Sequence, residues 1–330
     1  MASGAPAVRE PAGESAWVSV HAFYHDGLDV LLVHVVASLV EELSARGLAG
    51  GFFFLRYWDD VRHLRLRVLP AGKADRASVE GLIAERFDEY FARHSAAERV
   101  YPTNSLAFIP YRREHGRYGH GVSIEAVERH FVESSRIALV LLTAGLTAGQ
   151  RATAAAAMIL LAWFSGEPDP ARLTGWVNAS PPAGRPDPQA TFDPAGLDTA
   201  ALDTAGRLDR MIELARRMRA LAARSAELPG DRTLVGWARS MTTLRDALTA
   251  QIASGAFTPP AGYRHVPAEP TPHGSSPSVL PVLDICAHLA CNRLGVGPAE
   301  ERTLRYRAAW AVAALADEGS RAGGPARPWG

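Results

Sequence analysis

Gly51–Val68 reads GFFFLRYWDDVRHLRLRV, and the alternation within it decides the fold. Phe52, Phe53, Phe54 and Leu55 form a short aromatic-rich apolar run of the kind that makes a buried strand. Asp59 and Asp60 interrupt it, and from Arg62 to Val68 apolar and polar residues alternate strictly. Side chains on a strand repeat with a period of two, so Leu64, Leu66 and Val68 share one face while His63, Arg65 and Arg67 share the other. The stretch is therefore expected to be a hairpin with one apolar and one cationic face. An Arg-x-Arg pair on an exposed strand also serves solubility alone, and the spacing by itself leaves both readings open.

Working outward, Trp17–Tyr24 (WVSVHAFY) has strand character, and Leu28–Arg46 reads as a helix. Its apolar stripe is Leu32, Val35, Val36, Leu39, Val40 and Leu43, and Gly47 closes it. After the hairpin, Asp75–His94 repeats the helical pattern with Val79, Leu82, Ile83, Phe87, Tyr90 and Phe91 on one side, and Ser105–Tyr111 reads as a last strand. Strand, helix, strand, strand, helix, strand is the split βαβ or ferredoxin-like order. The expected class is α+β, an antiparallel sheet with helices on one face.

From Ser123 the pattern turns helical, with apolar helices over Ile124–Leu146 and Ala152–Phe164. Ser165–Thr204 is proline-rich with few aliphatic residues, which predicts a long loop or disordered insertion. Helical periodicity resumes over Gly206–Leu228 and Thr233–Ala253, then after a second proline-rich link, Thr258–Pro281, over Val282–Leu294 and Pro298–Leu315. Residues 1–15 and 319–330 have the composition of disordered ends. The expected organisation is one α+β domain over 16–318, with a sheet-containing half (16–122) and a helical half (123–318) that carries the insertions 165–204 and 258–281.

Composition narrows the classes of function. A chain of 330 residues with 35 basic and 35 acidic side chains gives no overall charge to attract nucleic acid or an anionic membrane, so any positive site is local. Two cysteines, Cys286 and Cys291, stand five apart within one predicted helix and imply neither a disulfide framework nor a metal site, which fits a reducing cytoplasm. The opening MASGAPAVREPAGES lacks the apolar core of a secretory signal. Ile137–Phe164 is broken by Gly145, Gly149, Gln150 and Arg151 into runs short of the about 20 residues a membrane span needs, so buried helices are expected. Phosphate-loop, dinucleotide and zinc spacings do not occur, and no cofactor is expected.

Three places carry candidate chemistry. One is the face bearing His63, Arg65 and Arg67. Another is Tyr111–Gly121 (YRREHGRYGHG), a polar turn in which Glu114 and Arg117 are three apart; as a solvated loop it would hold only an ion pair worth at most about 1 kcal/mol. The third is DICAHLACNRL, which sets Asp284, His288 and Asn292 four apart on one helix face, opposite a stripe of Val282, Ile285 and Leu289. A carboxylate one turn from an imidazole can orient it for proton transfer, although a helical histidine also commonly serves structure.

Taken in order, RYWDDVRHLRLR, then Tyr-x-x-Glu-x-x-Arg-Tyr-Gly from Tyr111, then His-x-x-x-Asn-Arg-Leu-Gly from His288, resemble the C-terminal domain of lantibiotic dehydratases. That domain also occurs alone as the thiopeptide-type bacteriocin biosynthesis protein. The resemblance runs from Trp17 to Leu315 and is weakest over Ser165–Pro281. It implies one of two cofactor-free reactions on a ribosomally made precursor peptide. One is expulsion of glutamate from a glutamylated Ser or Thr to leave a dehydroamino acid. The other is a formal [4+2] aza-cycloaddition of two dehydroalanines, which gives a pyridine-centred macrocycle with loss of water and the leader peptide.

By the same resemblance the reaction falls to Arg65, Arg67, Glu114, Arg117 and His288. Tyr118 joins the catalytic set, and Tyr57, His63, His120, Asp284, Asn292 and Arg293 join the substrate-binding set. Arginines can hold a carboxylate bidentately, and an acid/base group can move the proton that either reaction requires. Two departures bear on the choice. The family's Tyr-Gly-Gly is Tyr118, Gly119, His120 here, and its Phe-x-x-Asp-Ser is Phe131, Val132, Glu133, Ser134, Ser135. With these changes, and with no glutamylation domain in the chain, the pyridine synthase is favoured over the eliminase and over a non-catalytic leader-binding module. The implied partners are the leader-bearing precursor and other enzymes of the same biosynthetic cluster.

Overall fold

The computed structural model describes residues 16–57, 61–72, 74, 76–94, 103–179, 201–229, 234–260 and 278–322. The expected lead-in 1–15, the Asp59–Asp60 break, much of both proline-rich stretches and the last eight residues lie outside them. The chain forms two compact units that divide between Arg113 and Glu114.

The first unit runs β1 (Val18–Phe23), α1 (Leu28–Leu31), a π-helical turn (Leu32–Val36), α2 (Ala37–Ala45), β2 (Ala49–Tyr57), β3 (His63–Pro70), α3 (Arg76–Arg93) and β4 (Ser105–Phe108). Its sheet has the order β2-β3-β1-β4 with every neighbouring pair antiparallel, the ferredoxin-like topology expected from the element order. Leu64, Leu66 and Val68 are fully buried beside Val18, Val20 and Ala22. The Tyr24 ring stacks on Phe91 at 5.9 Å and so fixes α3 over this apolar face. The helical run from Leu28 stops where the stripe predicts, since Gly47 adopts φ 66° and its N–H donates to Ser44 O at 3.0 Å. β4 is shorter than the expected Ser105–Tyr111. The Ile109 N–H still reaches Ser19 O at 3.1 Å, but Pro110 has no N–H with which to continue the ladder.

The second unit is helical: α4 (His115–Tyr118), α5 (Val122–Thr143), α6 (Ala148–Gly166), α7 (Pro170–Ala179), α8 (Ala201–Arg224), α9 (Leu234–Ala253), α10 (Leu280–Leu294) and α11 (Pro298–Ala322). α6 is its axis. Every residue from Ala155 to Ser165 is buried, and the helix packs against α8, α9, α10 and α11, as an all-round apolar helix must. Thr147 and Gln150 close its start with a reciprocal capping box. No helix among the described residues is long and apolar enough to cross a membrane.

Several helix boundaries differ from expectation; α8, for one, opens at Ala201 and not at Gly206. α7 lies inside the stretch read as irregular. Pro170 occupies its first turn, where an N–H is dispensable, the Asp169 carboxylate accepts from the Ala171 N–H at 3.1 Å, and Leu173 and Val177 bury one side. α10 opens at Leu280, with Pro281 in its first turn rather than in a preceding link. α11 continues through Gly319 to Ala322, beyond the expected end at Leu315.

Candidate active site

The alternation of β3 places His63, Arg65 and Arg67 on the sheet face opposite α3, and the register adds their neighbours. His21 of β1 and Leu55 of β2 flank Arg65, Phe23 and Tyr57 flank His63, and Ser19 and Phe53 flank Arg67. The face is not the solvated cationic surface that an exposed Arg-x-Arg would give. Arg67 is only 8% exposed and His63 9%. The Arg67 guanidinium carbon sits 4.6 Å from the Tyr111 ring centre and 5.2 Å from that of Phe53, and that of Arg65 lies 3.3 Å from Tyr57. Aromatic faces thus compensate charges partly withdrawn from water.

Hydrogen bonds fix the tautomer of His63. Its Nδ1–H donates to Val61 O at 2.8 Å, which leaves Nε2 to accept from the Arg65 Nε–H at 3.0 Å. Burial lowers the pKa of His63, and the Arg65 charge adds to this against the opposing Val61 bond. The neutral ring therefore aims Arg65.

In the second unit, the α10–α11 hairpin builds a buried ionic network. Gly295, at φ 77°, ends α10 and returns the chain so that α11 lies beside it. The His288 Nδ1–H donates to Glu301 Oε2 at 2.8 Å, while Glu301 Oε1 accepts from the Arg305 Nε–H at 2.7 Å. Arg305 also pairs with the Asp284 carboxylate and donates to Asp284 O at 3.1 Å, and the Trp163 Nε1–H donates to Asp284 Oδ1 at 2.7 Å. Burial would raise the Glu301 carboxyl, but the His288 hydrogen bond and the Arg305 charge outweigh it and hold the group below the usual carboxylate range. The anion in turn holds the His288 ring with Nδ1 protonated and Nε2 as the basic nitrogen, the arrangement of a carboxylate-oriented acid/base imidazole. Asp284, expected to orient His288 from one turn away, is committed to Arg305 and Trp163, and Glu301 takes that role. Asn292 is half-buried on the same face, whereas Leu289 is only half-buried on the supposed core side.

The polar turn separates into exposed and buried parts. Glu114 Oε2 and Arg117 Nη1 pair at 2.8 Å with about half of each side chain exposed, so the ion pair itself contributes at most about 1 kcal/mol. The exposed His120 stacks on His115 at 4.2 Å and 8°, and the His115 Nδ1–H donates to Gly119 O at 2.8 Å. Tyr118 is buried and meets Phe131 edge-on at 5.6 Å. On Phe131 rests the Arg293 guanidinium at 5.2 Å, whose Nη1 donates to Ser134 Oγ at 3.0 Å. Arg293 is 0% exposed, so its expected place as a substrate contact is replaced by a packing and positioning role that links α10 to α5.

Three residues of these constellations escaped the sequence reading. His21 has the same parity in WVSVHAFY as the residues that pair with the β3 face, a signal that was available once β1 was set beside β3. Glu301 and Arg305 are four apart at the start of α11, an ordinary helix-surface spacing that reveals nothing until α10 is laid against it.

The chain matches the family described as lantibiotic biosynthesis dehydratase, C-terminal, over residues 17–312, and it belongs to that family, the one the three motifs resemble. Its fold is similar to that of the tRNA-dependent lantibiotic dehydratase MibB from Microbispora sp. 107891, with a TM-score of 0.64 and 21% identity over 96% of this chain and 29% of that one. The chain thus spans less than a third of that dehydratase's length. It is similar also to TbtD, the pyridine synthase from thiomuracin biosynthesis, with a TM-score of 0.62 and 17% identity over 92% of this chain and 99% of that one. With TsrL the TM-score is 0.58 and the identity 19%, over 91% and 95% of the two chains. Likeness at these identities establishes the fold, not the reaction. No curated protein sequence matches the chain.

Proposed function

We propose that the protein is a pyridine synthase that acts on a leader-bearing ribosomal precursor peptide. It joins two dehydroalanines by a formal [4+2] aza-cycloaddition and releases water and the leader to leave a pyridine-centred macrocycle. The observation that carries this reading is the His288–Glu301 pair, a fixed acid/base imidazole backed by a buried carboxylate. The reaction needs such a group, because the cycloadduct must go on to lose water and the leader amide, and each loss takes a proton donor and acceptor. Holding the two alkenes in register supplies much of the remaining acceleration through proximity. Arg65, Arg67, Glu114 and Arg117 are assigned to the same reaction, with Tyr57, His63, His120 and Asn292 as peptide contacts. Ser134, where the family carries a carboxylate, favours cycloaddition over elimination.

Glutamate elimination is the second reading, and one observation favours it. Arg65 and Arg67 project from the same face of β3, two residues apart, as a clamp on a glutamyl carboxylate would require. Offering the purified protein a bis-dehydroalanine precursor and a glutamylated precursor separates the two by mass spectrometry. A pyridine macrocycle with a leader ending in carboxamide is expected. Glutamate release without cyclisation of the other substrate would move the assignment to eliminase. Binding should depend on the leader, with its removal weakening affinity by well over tenfold.

A further inference from the structure

His21 lies at the centre of the β3 face yet belongs to none of the three motifs. In register it stands between Arg65 of β3 and Ala107 of β4, and its ring stacks on His63 at 4.8 Å and 22°. His63 stacks in turn on Tyr57 at 5.1 Å and 17°, so three rings from β1, β3 and β2 form a ladder across the sheet. The two imidazoles differ in commitment. Both nitrogens of His63 are engaged, by Val61 O and the Arg65 Nε–H. His21 is half-buried, and among the described residues its ring makes stacking contacts without a hydrogen bond.

We propose that His21 is a catalytic proton-transfer residue of this face, a neutral imidazole that takes a proton from the bound peptide and returns it within the same turnover. The assignment rests on the cycloaddition reading above. In that reaction the amide N–H bond breaks, its electron pair closes the C=N bond, and the carbonyl π pair moves onto oxygen. The imidazole carries the released proton to that oxygen, so atoms and charge balance and the ring ends neutral.

Electrostatics supports a neutral ring. Burial first, then the Arg65 charge, the coupled titration of His63 and the Arg67 charge, lower the His21 pKa to about 4. Tyr57 is the other titratable group on the ladder, while β4 presents Ser105 and Ala107 and adds no charge. A proton acceptor set among arginines stays uncharged through the neutral range and is ready to accept, whereas an ordinary imidazole is partly protonated near pH 6.5.

The test uses the full chain and the same two precursors. His21→Phe keeps a ring against His63 and removes the nitrogens; it should cut kcat by about 100-fold while KM, leader affinity and thermal midpoint stay close to wild type. By NMR the His21 ring should titrate far below 6.5, and the bis-dehydroalanine peptide should shift its signal. A His21→Phe variant with wild-type kcat, or a His21 signal that the peptide leaves unmoved, overturns the proposal. Wild-type protein that converts neither precursor instead defeats the function proposed above, and the NMR perturbation then decides the role of His21 alone.

Discussion

Replacing Glu301 by Gln tests whether the carboxylate is what holds the His288 imidazole. Glu301 is 6% exposed and both its oxygens are occupied, Oε2 by the His288 Nδ1–H at 2.8 Å and Oε1 by the Arg305 Nε–H at 2.7 Å. A glutamine offers one acceptor oxygen and one NH2: with the oxygen toward His288 the NH2 confronts the Arg305 Nε–H, and with the oxygen toward Arg305 the His288 ring must give up its Nδ1–H tautomer to accept from the NH2. One charge-assisted hydrogen bond is lost, about 1.5–3 kcal/mol, and the other weakens as the charge disappears. Arg305 keeps the Asp284 carboxylate and so escapes the full penalty of about 3–5 kcal/mol for a stranded buried charge. The sum is a destabilisation of about 2–4 kcal/mol at neutral pH.

The pH dependence gives the sign. The folded-state pKa of Glu301 is depressed, so its contribution is complete above the unfolded value of about 4.3 and is lost as pH falls through the lower folded value. The stability gap between wild type and Glu301→Gln should therefore stay constant from pH 7 to 5 and close at lower pH. Urea denaturation followed by circular dichroism, with tryptophan fluorescence as a second probe, measures it. Turnover should fall while leader affinity holds, because the imidazole loses the anion that sets its tautomer. A gap below about 1 kcal/mol at pH 7, or one that persists unchanged into acid, would refute the buried network as the device that fixes His288.

Gly119→Ala should destabilise by about 2–4 kcal/mol, since the residue sits at φ 75° and a Cβ would come within 2.6 Å of Phe257 Cδ2 and 3.1 Å of Ser123 Cβ; an unchanged thermal midpoint would contradict this. Cys286 and Cys291 are both buried, and burial pushes the Cys286 thiol up to about 12 and raises that of Cys291 as well. Both should resist iodoacetamide at pH 8 in the native protein and react once it is denatured, and labelling of the folded chain at the rate of an exposed thiol would be the contrary result.

Much of the first unit was legible because its signals are local. The alternation of Leu64, Leu66 and Val68 with His63, Arg65 and Arg67 requires only a period of two, and that period fixes which face each side chain takes. Gly47 at the end of α2 and Gly295 at the end of α10 likewise announce their positive φ by their identity. Composition misled where it was averaged over a long window. Asp169, Pro170, Leu173 and Val177 carry a cap, a first-turn proline and an i,i+4 pair, but the surrounding prolines outweighed ten helical residues. At the other end, the composition of 319–330 read as a disordered tail, although the one glycine inside α11, Gly319, costs a helix only about 1 kcal/mol relative to alanine, which a 25-residue helix tolerates.

The site was legible as residues but not as partnerships. Asp284 and His288 stand four apart on one helix, and such local spacings are the pairings that a single sequence displays. Two neighbours from elsewhere in the chain claimed Asp284 instead, Trp163 from α6 and Arg305 from α11, and each offers a donor where the aspartate is half-buried. Once Asp284 is held by that guanidinium and indole, Glu301 is the carboxylate seated against the imidazole, and the same Arg305 bridges both acids. The choice follows from desolvation. A buried guanidinium needs more than one anion to offset its removal from water, so Arg305 draws Asp284 and Glu301 to itself, and His288 takes the carboxylate oxygen that Arg305 leaves over. The residue that organises the imidazole is thus an arginine that never touches it, which is why inspection of the His288 helix alone could name the histidine but not its support.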